Sequence, residues 1–288
     1  MTRGRSGGSA RVVRHLLWVI TRFLLLAFFL LLAVLPLYWI IITSLKGTKD
    51  IYSYPLLYFP PHPTLKSYQT LFSFANFGLY FRNSIVLSVV SSTVAVLLSL
   101  FSGFGLSRLR RRSSRNRVLL SLYFTQMVPG FVLMIPLFTM LTYFRLTDNL
   151  GTLAIVYVSM MLAFSTIMAK SFFDRVPVSL EEAAVIDGCT LPQALFRVVF
   201  PVTLPGIAAI FSFCFVNIWN ELFIAVMLIS TNGKMTVPVA LNSFISKAGI
   251  SWDTLSAGIV VALLPTMIIF GIGQRYIVAG LTEGSVKG

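Results

Sequence analysis

Residues 16–42 form one nearly unbroken apolar run, interrupted only by Thr21 and Arg22 near its start. A helix needs about 20 residues to cross the hydrocarbon core of a bilayer, and there every backbone polar group must bond within the protein. The run is also much longer than the roughly 7–15 apolar residues of a cleaved signal, and no small-x-small cleavage site comes after it. It is therefore expected to remain in the mature chain as a membrane span.

Five more stretches have the same character, at 81–106, 118–143, 151–173, 204–229 and 254–276. The second and fourth spans are rich in Ser and Thr, whose hydroxyls can bond to their own helix or to a neighbour. Composition agrees, with 57% hydrophobic residues, 11% charged and a mean hydropathy of +0.86. A soluble domain carries roughly a quarter charged residues. The expected fold class is an all-α membrane protein of six transmembrane helices.

A net charge of +14 would suit nucleic acid, but the basic residues sit in clusters between the apolar runs, as in the inward-facing loops of membrane proteins. With the N-terminus inside, sixteen Lys and Arg fall on inner segments and seven on outer ones. That asymmetry predicts a multi-pass protein of the bacterial inner membrane with both termini cytoplasmic. The expected parts are a tail at 1–15, a membrane domain at 16–276 and a tail at 277–288. The basic stretch 108–117 is read as a topology anchor. The outer segment 46–80, rich in Pro and aromatics, is expected to hold a short helix near 64–71, and the outer loop 231–253 a small cap. Cys189 and Cys214 are too few for a disulfide framework and are read as packing residues. His15 and His62 have no ligand partners in range. The pair Gly233-Lys234 lacks the spacing of a phosphate-binding loop, so any ATP must be handled by another chain.

One segment is unlike the rest. Residues 174–201 read DRVPVSLEEAAVIDGCTLPQALFRVVFP, amphipathic rather than spanning. Ser179 with Glu182 fits a capping box, a helix then runs to about Asp187, and Gly188 sits where a left-handed residue would end it. Thr190 with Gln193 repeats the box, Pro192 lies in the first turn, and the second helix is expected to end before Pro201. The result would be two short rigid helices joined at a glycine elbow and presented to the cytoplasm.

The spacing Glu182-Ala183-Ala184-x3-Gly188-x9-Val198-x-Phe200-Pro201 resembles the EAA loop of bacterial ABC importer permeases. Asn83-Ser84, Pro129, Pro136, Trp219-Asn220-Glu221, Thr236-Val237-Pro238-Val239 and the end from Ala279 to Gly288 are similar to the shorter permease of carbohydrate importers, the maltose-permease-like type. That resemblance implies the type I importer permease fold and a non-catalytic transport subunit that translocates a mono- or oligosaccharide. It further implies that Glu181, Glu182, Ala183, Ala184, Asp187, Gly188 and Pro201 couple to a separate ATPase, which alone binds ATP and Mg. Gly280, Leu281 and Lys287 would touch that ATPase as well. The implied partners are a second six-span permease, two cytoplasmic ATPase subunits and an extracytoplasmic sugar-binding protein or lipoprotein, in addition to membrane lipid.

Glu221 falls within the fifth apolar stretch, where a carboxylate is costly and points to function. At helical spacing Asn217 and Glu221 share a face with Phe213, and Asn220 is adjacent. These groups either line a translocation path or bond to a neighbouring helix and fix its packing. Other readings are an importer permease for polyamine, phosphate or amino acid, a membrane-embedded transferase and a passive scaffold. A transferase needs clustered His, Asp or Glu near an interface, whereas four of the nine acids lie within 174–187. A scaffold leaves the amphipathic loop unexplained.

Overall fold

The computed structural model describes residues 7–73, 76–246 and 249–282. Its helices in chain order are α1 (Gly7–Ser44), α2 (Thr48–Ile51), α3 (Lys66–Ser73), α4 (Phe77–Arg108), α5 (Arg112–Met127), α6 (Gly130–Tyr143) and α7 (Leu150–Phe173). They continue as α8 (Val178–Ile186), α9 (Leu191–Ala194), α10 (Phe200–Trp219), α11 (Phe223–Leu228), α12 (Val237–Ser243) and α13 (Trp252–Thr282). Among the described residues five helices are long and apolar enough to cross a membrane, or six if the bent pair α5–α6 is one span. The helix expected near 64–71 is α3.

The chain divides into two compact units, Met1–Phe74 with Gly249–Val260, and Ala75–Ala248 with Val261–Gly288. In the first unit α1 is apolar all round and its side chains are exposed from Arg14 to Leu37, apart from a half-buried Ala27. Such a helix suits lipid rather than water. Its end is held by the next stretch of chain. Thr64 N donates to Leu45 O at 2.9 Å, Tyr38 Oη to Tyr58 O at 2.7 Å, and the Ser44 and Tyr68 hydroxyls meet at 2.9 Å. The Lys46 ammonium donates to Leu57 O and lies 4.7 Å over the Trp39 ring. Burial holds that ammonium below the usual lysine range, against the pull of Asp50.

In the second unit α4 packs along α7 and α10. The contact face of α4 is a ladder of small residues, Ser84, Ser88, Ser91, Ala95, Ser99 and Gly103, all buried and spaced by three or four. Small side chains let helices approach closely where apolar burial gives little net attraction in lipid. The serines that weaken the apolarity of this span are thus its packing surface. Ser102 and Thr166 hydroxyls join α4 to α7 at 2.9 Å. Two apolar clusters flank the ladder: Leu87, Leu153, Tyr157, Ile218 and Leu228 in one, Leu100, Phe173, Val199, Ile210 and Cys214 in the other.

Four spans differ from their expected courses, the first because α1 begins at Gly7 and so extends into the tail expected at 1–15. The span expected over 118–143 bends by 89° between α5 and α6. Pro129 holds Val128 extended, with ψ 116°, and Gly130 then opens α6. The helix expected over 204–229 stops at Trp219, and α11 comes after it as a separate helix. The last span, expected over 254–276, runs from Trp252 to Thr282 and so extends into the tail expected from 277.

The loops at the α7 N-terminus are clasped by Asp148. Its carboxylate accepts from Ser230 N and Thr231 N at 3.0 Å each and from Lys234 Nζ at 2.8 Å. The Lys234 ammonium, helped by the Thr231 and Ser230 donors, holds the carboxyl far below its ordinary range.

The α4–α7 seam can be tested at two glycines of α4. A Cβ on Gly103 would lie 2.6 Å from Ala169 Cβ and 2.8 Å from the Lys170 backbone, whereas one on Gly105 meets nothing within 4 Å. Gly103→Ala is therefore expected to cost about 1–3 kcal/mol by overpacking. Gly105→Ala should be neutral or stabilising by up to about 1 kcal/mol. Thermal unfolding midpoints in detergent should move in opposite directions, or down for Gly103 alone.

Candidate functional site

The segment after α7 is built as a braced pair of helices. Pro177 precedes α8 in an extended conformation, φ −59° and ψ 135°, and no side chain caps that end. The expected box of Ser179 and Glu182 does not form, because α8 starts at Val178, two residues before a Ser179 cap would begin it. The C-terminus meets expectation. Gly188 has φ +87°, its N–H donates to Val185 O at 3.0 Å, and Cys189 N donates to Ala184 O at 2.9 Å. These two bonds make a Schellman turn, which closes the last carbonyls of a helix with a left-handed glycine.

Thr190 then caps α9 in the expected box, with its N–H donating to Gln193 Oε1 at 2.9 Å, and Pro192 lies in the first turn. The second helix does not end before Pro201. It passes through a π turn at Leu195–Val199, where Phe200 N reaches back to Leu195 O, and continues as α10. Proline can donate no backbone bond, and the widened turn immediately before Pro201 lets the helix carry on past it. One helical body therefore extends from Leu191 to Trp219.

Arg108, the last residue of α4, fastens α8 to the bundle. Its guanidinium donates to Phe173 O at 3.2 Å, to Val176 O at 3.0 Å and, through Nε, to Glu181 Oε1 at 2.8 Å. Beside it, Ser107 Oγ donates to Asp174 Oδ1 at 2.7 Å, and the Lys170 ammonium pairs with the same carboxylate. Glu181 and Ala184 face inward and are buried, whereas Glu182, Ala183, Asp187, Gly188 and Pro201 are exposed. The exposed side of the turn carries the Glu182 and Asp187 carboxylates beside two apolar side chains, Ile186 85% and Leu191 72% accessible. The seven residues singled out by sequence therefore divide into inward anchors and an outward face. Reading the sequence missed Arg108, which stands 73 positions from Glu181 and has no local signature.

The polar residues of the fifth span separate. Asn217 Nδ2 donates to Phe213 O, and Asn220 Nδ2 to Val216 O, each at 2.8 Å and each within its own helix. Both asparagines are exposed. Glu221 lies beyond the end of α10 and so does not share a helical face with Asn217. Its Oε1 accepts from Ile224 N at 2.9 Å and its Oε2 from Tyr157 Oη at 2.7 Å, so it caps α11 and ties it to α7. Trp219 is a core residue, with Nε1 donating to Ala262 O at 3.1 Å. Gly280 and Leu281 fall in the last turn of α13, and Lys287 lies outside the described residues. Among the described residues no group of His, Cys, Asp and Glu could hold a metal ion.

The Arg108 brace makes a ranked prediction. The two side chains are 18% and 11% exposed, so removing either leaves a largely buried charge without its partner. Glu181→Ala is expected to destabilise by about 2 kcal/mol. Arg108→Ala should cost more, since Val176 O also loses the guanidinium donor and Phe173 O keeps only Val176 N. Thermal midpoints of the purified variants check that order.

Comparison with known proteins places this geometry. Residues 95–283 match the family described as "Binding-protein-dependent transport system inner membrane component". The chain is 37% identical over 265 residues to the inner membrane ABC transporter permease protein YcjP of Escherichia coli K12, covering 91% of this chain and 94% of that protein. It is 33% identical to the sulfoquinovosyl glycerol transport system permease SmoH of Agrobacterium fabrum, covering 93% of each chain. It is 32% identical to the trehalose transport system permease SugB of Mycobacterium tuberculosis, over 89% of this chain and 93% of that one. A bacterial ABC transporter that imports alginate has the same fold, with a TM-score of 0.79 at 24% identity, over 96% of this chain and 99% of that one. The chain belongs to the family of binding-protein-dependent transport system inner membrane components, the permease subunits of ABC importers.

Proposed function

We propose that this permease carries a mono- or oligosaccharide and is driven through residues 174–201 by a separate ATPase. The observation that carries the coupling role is the exposed turn Glu182–Gly188. It is braced by Arg108 on one side and continuous with α10 on the other. A partner that grips the accessible Ile186 and Leu191 would move a 29-residue helix as one piece. The sugar assignment is supported by the relatives, whose names specify sulfoquinovosyl glycerol, trehalose and, in Streptomyces coelicolor, diacetylchitobiose.

On this reading both termini and the turn face the cytoplasm, as the Lys and Arg distribution favours. A second six-span permease completes the pathway, two ATPase subunits hold ATP and Mg, and an extracytoplasmic binding protein or lipoprotein delivers the sugar. Asn217 and Asn220, exposed on α10, line the path, and Glu221 fixes the break at its end. Gly280, Leu281 and Lys287 add a second ATPase contact.

Two measurements test this. Cys189 is half-buried at the elbow while Cys214 is buried, so the native chain carries its own reporter. A membrane-impermeant maleimide is expected to label Cys189 in inside-out vesicles and not in intact spheroplasts, and the opposite pattern overturns the orientation. At Gly188 a Cβ meets nothing within 4 Å, so the cost of a side chain inside this chain is backbone strain, about 1–2 kcal/mol. Gly188→Arg is expected to abolish sugar uptake, because the side chain obstructs the partner, while membrane insertion stays normal. Normal uptake by that variant would count against docking at the elbow.

A further inference from the structure

Six arginines and no lysine stand in 108–117. Arg108 is engaged with Glu181, Phe173 O and Val176 O. Arg110, Arg111, Arg112, Arg115 and Arg117 differ from it. Among the described residues their side chains make no hydrogen bond or ion pair, and all are exposed except the half-buried Arg115. The chain has no acidic residue between Asp50 and Asp148 to neutralise them. On the neighbouring loop, Asp174 is engaged with Lys170 and Ser107, and Glu181 with Arg108, leaving Glu182 and Asp187 exposed.

This arrangement is unfavourable by itself. Arg112 and Arg115 open α5, whose first turn contains no acid, so cations lie against the positive end of a helix dipole. Five like charges within eight residues repel as well. An anion from outside the chain would relieve both costs. The remainder of α5 indicates its source, since Val118, Leu120, Tyr123 and Phe124 are 44%, 66%, 52% and 69% exposed. Cations that give way within two turns to exposed apolar side chains match the depth of lipid headgroups, with phosphate above and acyl chain below. Arginine in place of lysine adds a planar fork that binds phosphate oxygens in pairs.

We propose that residues 110–117 form a binding site for the phosphates of anionic phospholipids, in the leaflet that faces the coupling turn. The choice of leaflet rests on the cytoplasmic orientation proposed for that turn.

The test uses the whole transporter complex, purified in mild detergent and given equal amounts of phosphatidylglycerol and phosphatidylcholine. Lipid retained after washing is measured by mass spectrometry. The unaltered complex is expected to prefer phosphatidylglycerol, and R110Q/R111Q/R112Q/R115Q/R117Q to lose at least about tenfold of that preference. Arginines also set topology, so R115Q/R117Q keeps three of the five and is expected to lose about threefold while Cys189 labelling stays unchanged. No preference in the unaltered complex, or an undiminished one in R115Q/R117Q, overturns the proposal. So does loss of the ATPase from either variant with lipid preference intact, which would assign the arginines to an acidic protein surface. Labelling of Cys189 from the outer face would overturn the orientation alone, because lipid preference is read in detergent.

Discussion

The Arg108 guanidinium joins α4, α7 and α8. The last carbonyls of a helix have no partner inside it, and past the end of α7 this one side chain adds donors to Phe173 O, beside Val176 N, and to Val176 O. The same group balances the buried Glu181 carboxylate, which would be strongly unfavourable alone. Its geometry fixes how α8 leaves the bundle, and hence which residues of the turn at Glu182–Gly188 face outward. Ile186 is accessible because Ala184 and Glu181, on the other side of α8, are held in, and Asp187 and Gly188 follow in the exposed turn past the helix end.

The same demand for partnered backbone groups explains where the spans break. Inside a membrane an open carbonyl or N–H costs several kcal/mol unless the protein supplies a partner. At the end of α10 the partner is Glu221, whose oxygens take the Ile224 and Ala225 donors of α11. Tyr157 contributes a third bond from α7 and fixes the carboxylate in place. A carboxylate that sequence marks as functional because it is costly is here balanced by three donors. Near Pro201 the answer is different. A π turn widens the helix just before the proline, and the rod remains continuous.

How far sequence could reach depended on the range of each interaction. The glycine elbow, the Thr190–Gln193 box and the apolar spans are local patterns, and the structure carries all of them. The expected Ser179–Glu182 box failed because Pro177 starts the helix without needing a donor, so the cap position moved. The shared face of Asn217 and Glu221 assumed a continuous helix, and nothing in the spacing reveals that the helix ends between them. Pro129 was visible, but a proline can kink or end a helix, and the 89° bend selects the second outcome. Arg108 was counted with its neighbours as one basic cluster, since a pair 73 residues apart leaves no trace in a local pattern.

With the coupling role proposed for the turn at Glu182–Gly188, these features together define a path for mechanical force. The body from Leu191 to Trp219 has 29 residues, or about 43 Å at about 1.5 Å per residue, enough to carry a displacement across the bilayer. One end adjoins the turn at Glu182–Gly188, outside the apolar clusters. The other ends against Trp219, whose indole is bonded to Ala262 O, and the break that Glu221 caps. A push at the elbow therefore arrives where helical continuity stops and backbone angles can change at low cost. Flanking α11 is tied to α7 by the Tyr157–Glu221 bond, and the loop beyond it by the Asp148–Lys234 clasp. Helical continuity is thus interrupted at residues 220–222, while the elements on either side are held by their own bonds. Asn217 and Asn220 lie at that junction, exposed and bonded only within their own helix, so they can move with it without breaking a contact to another span.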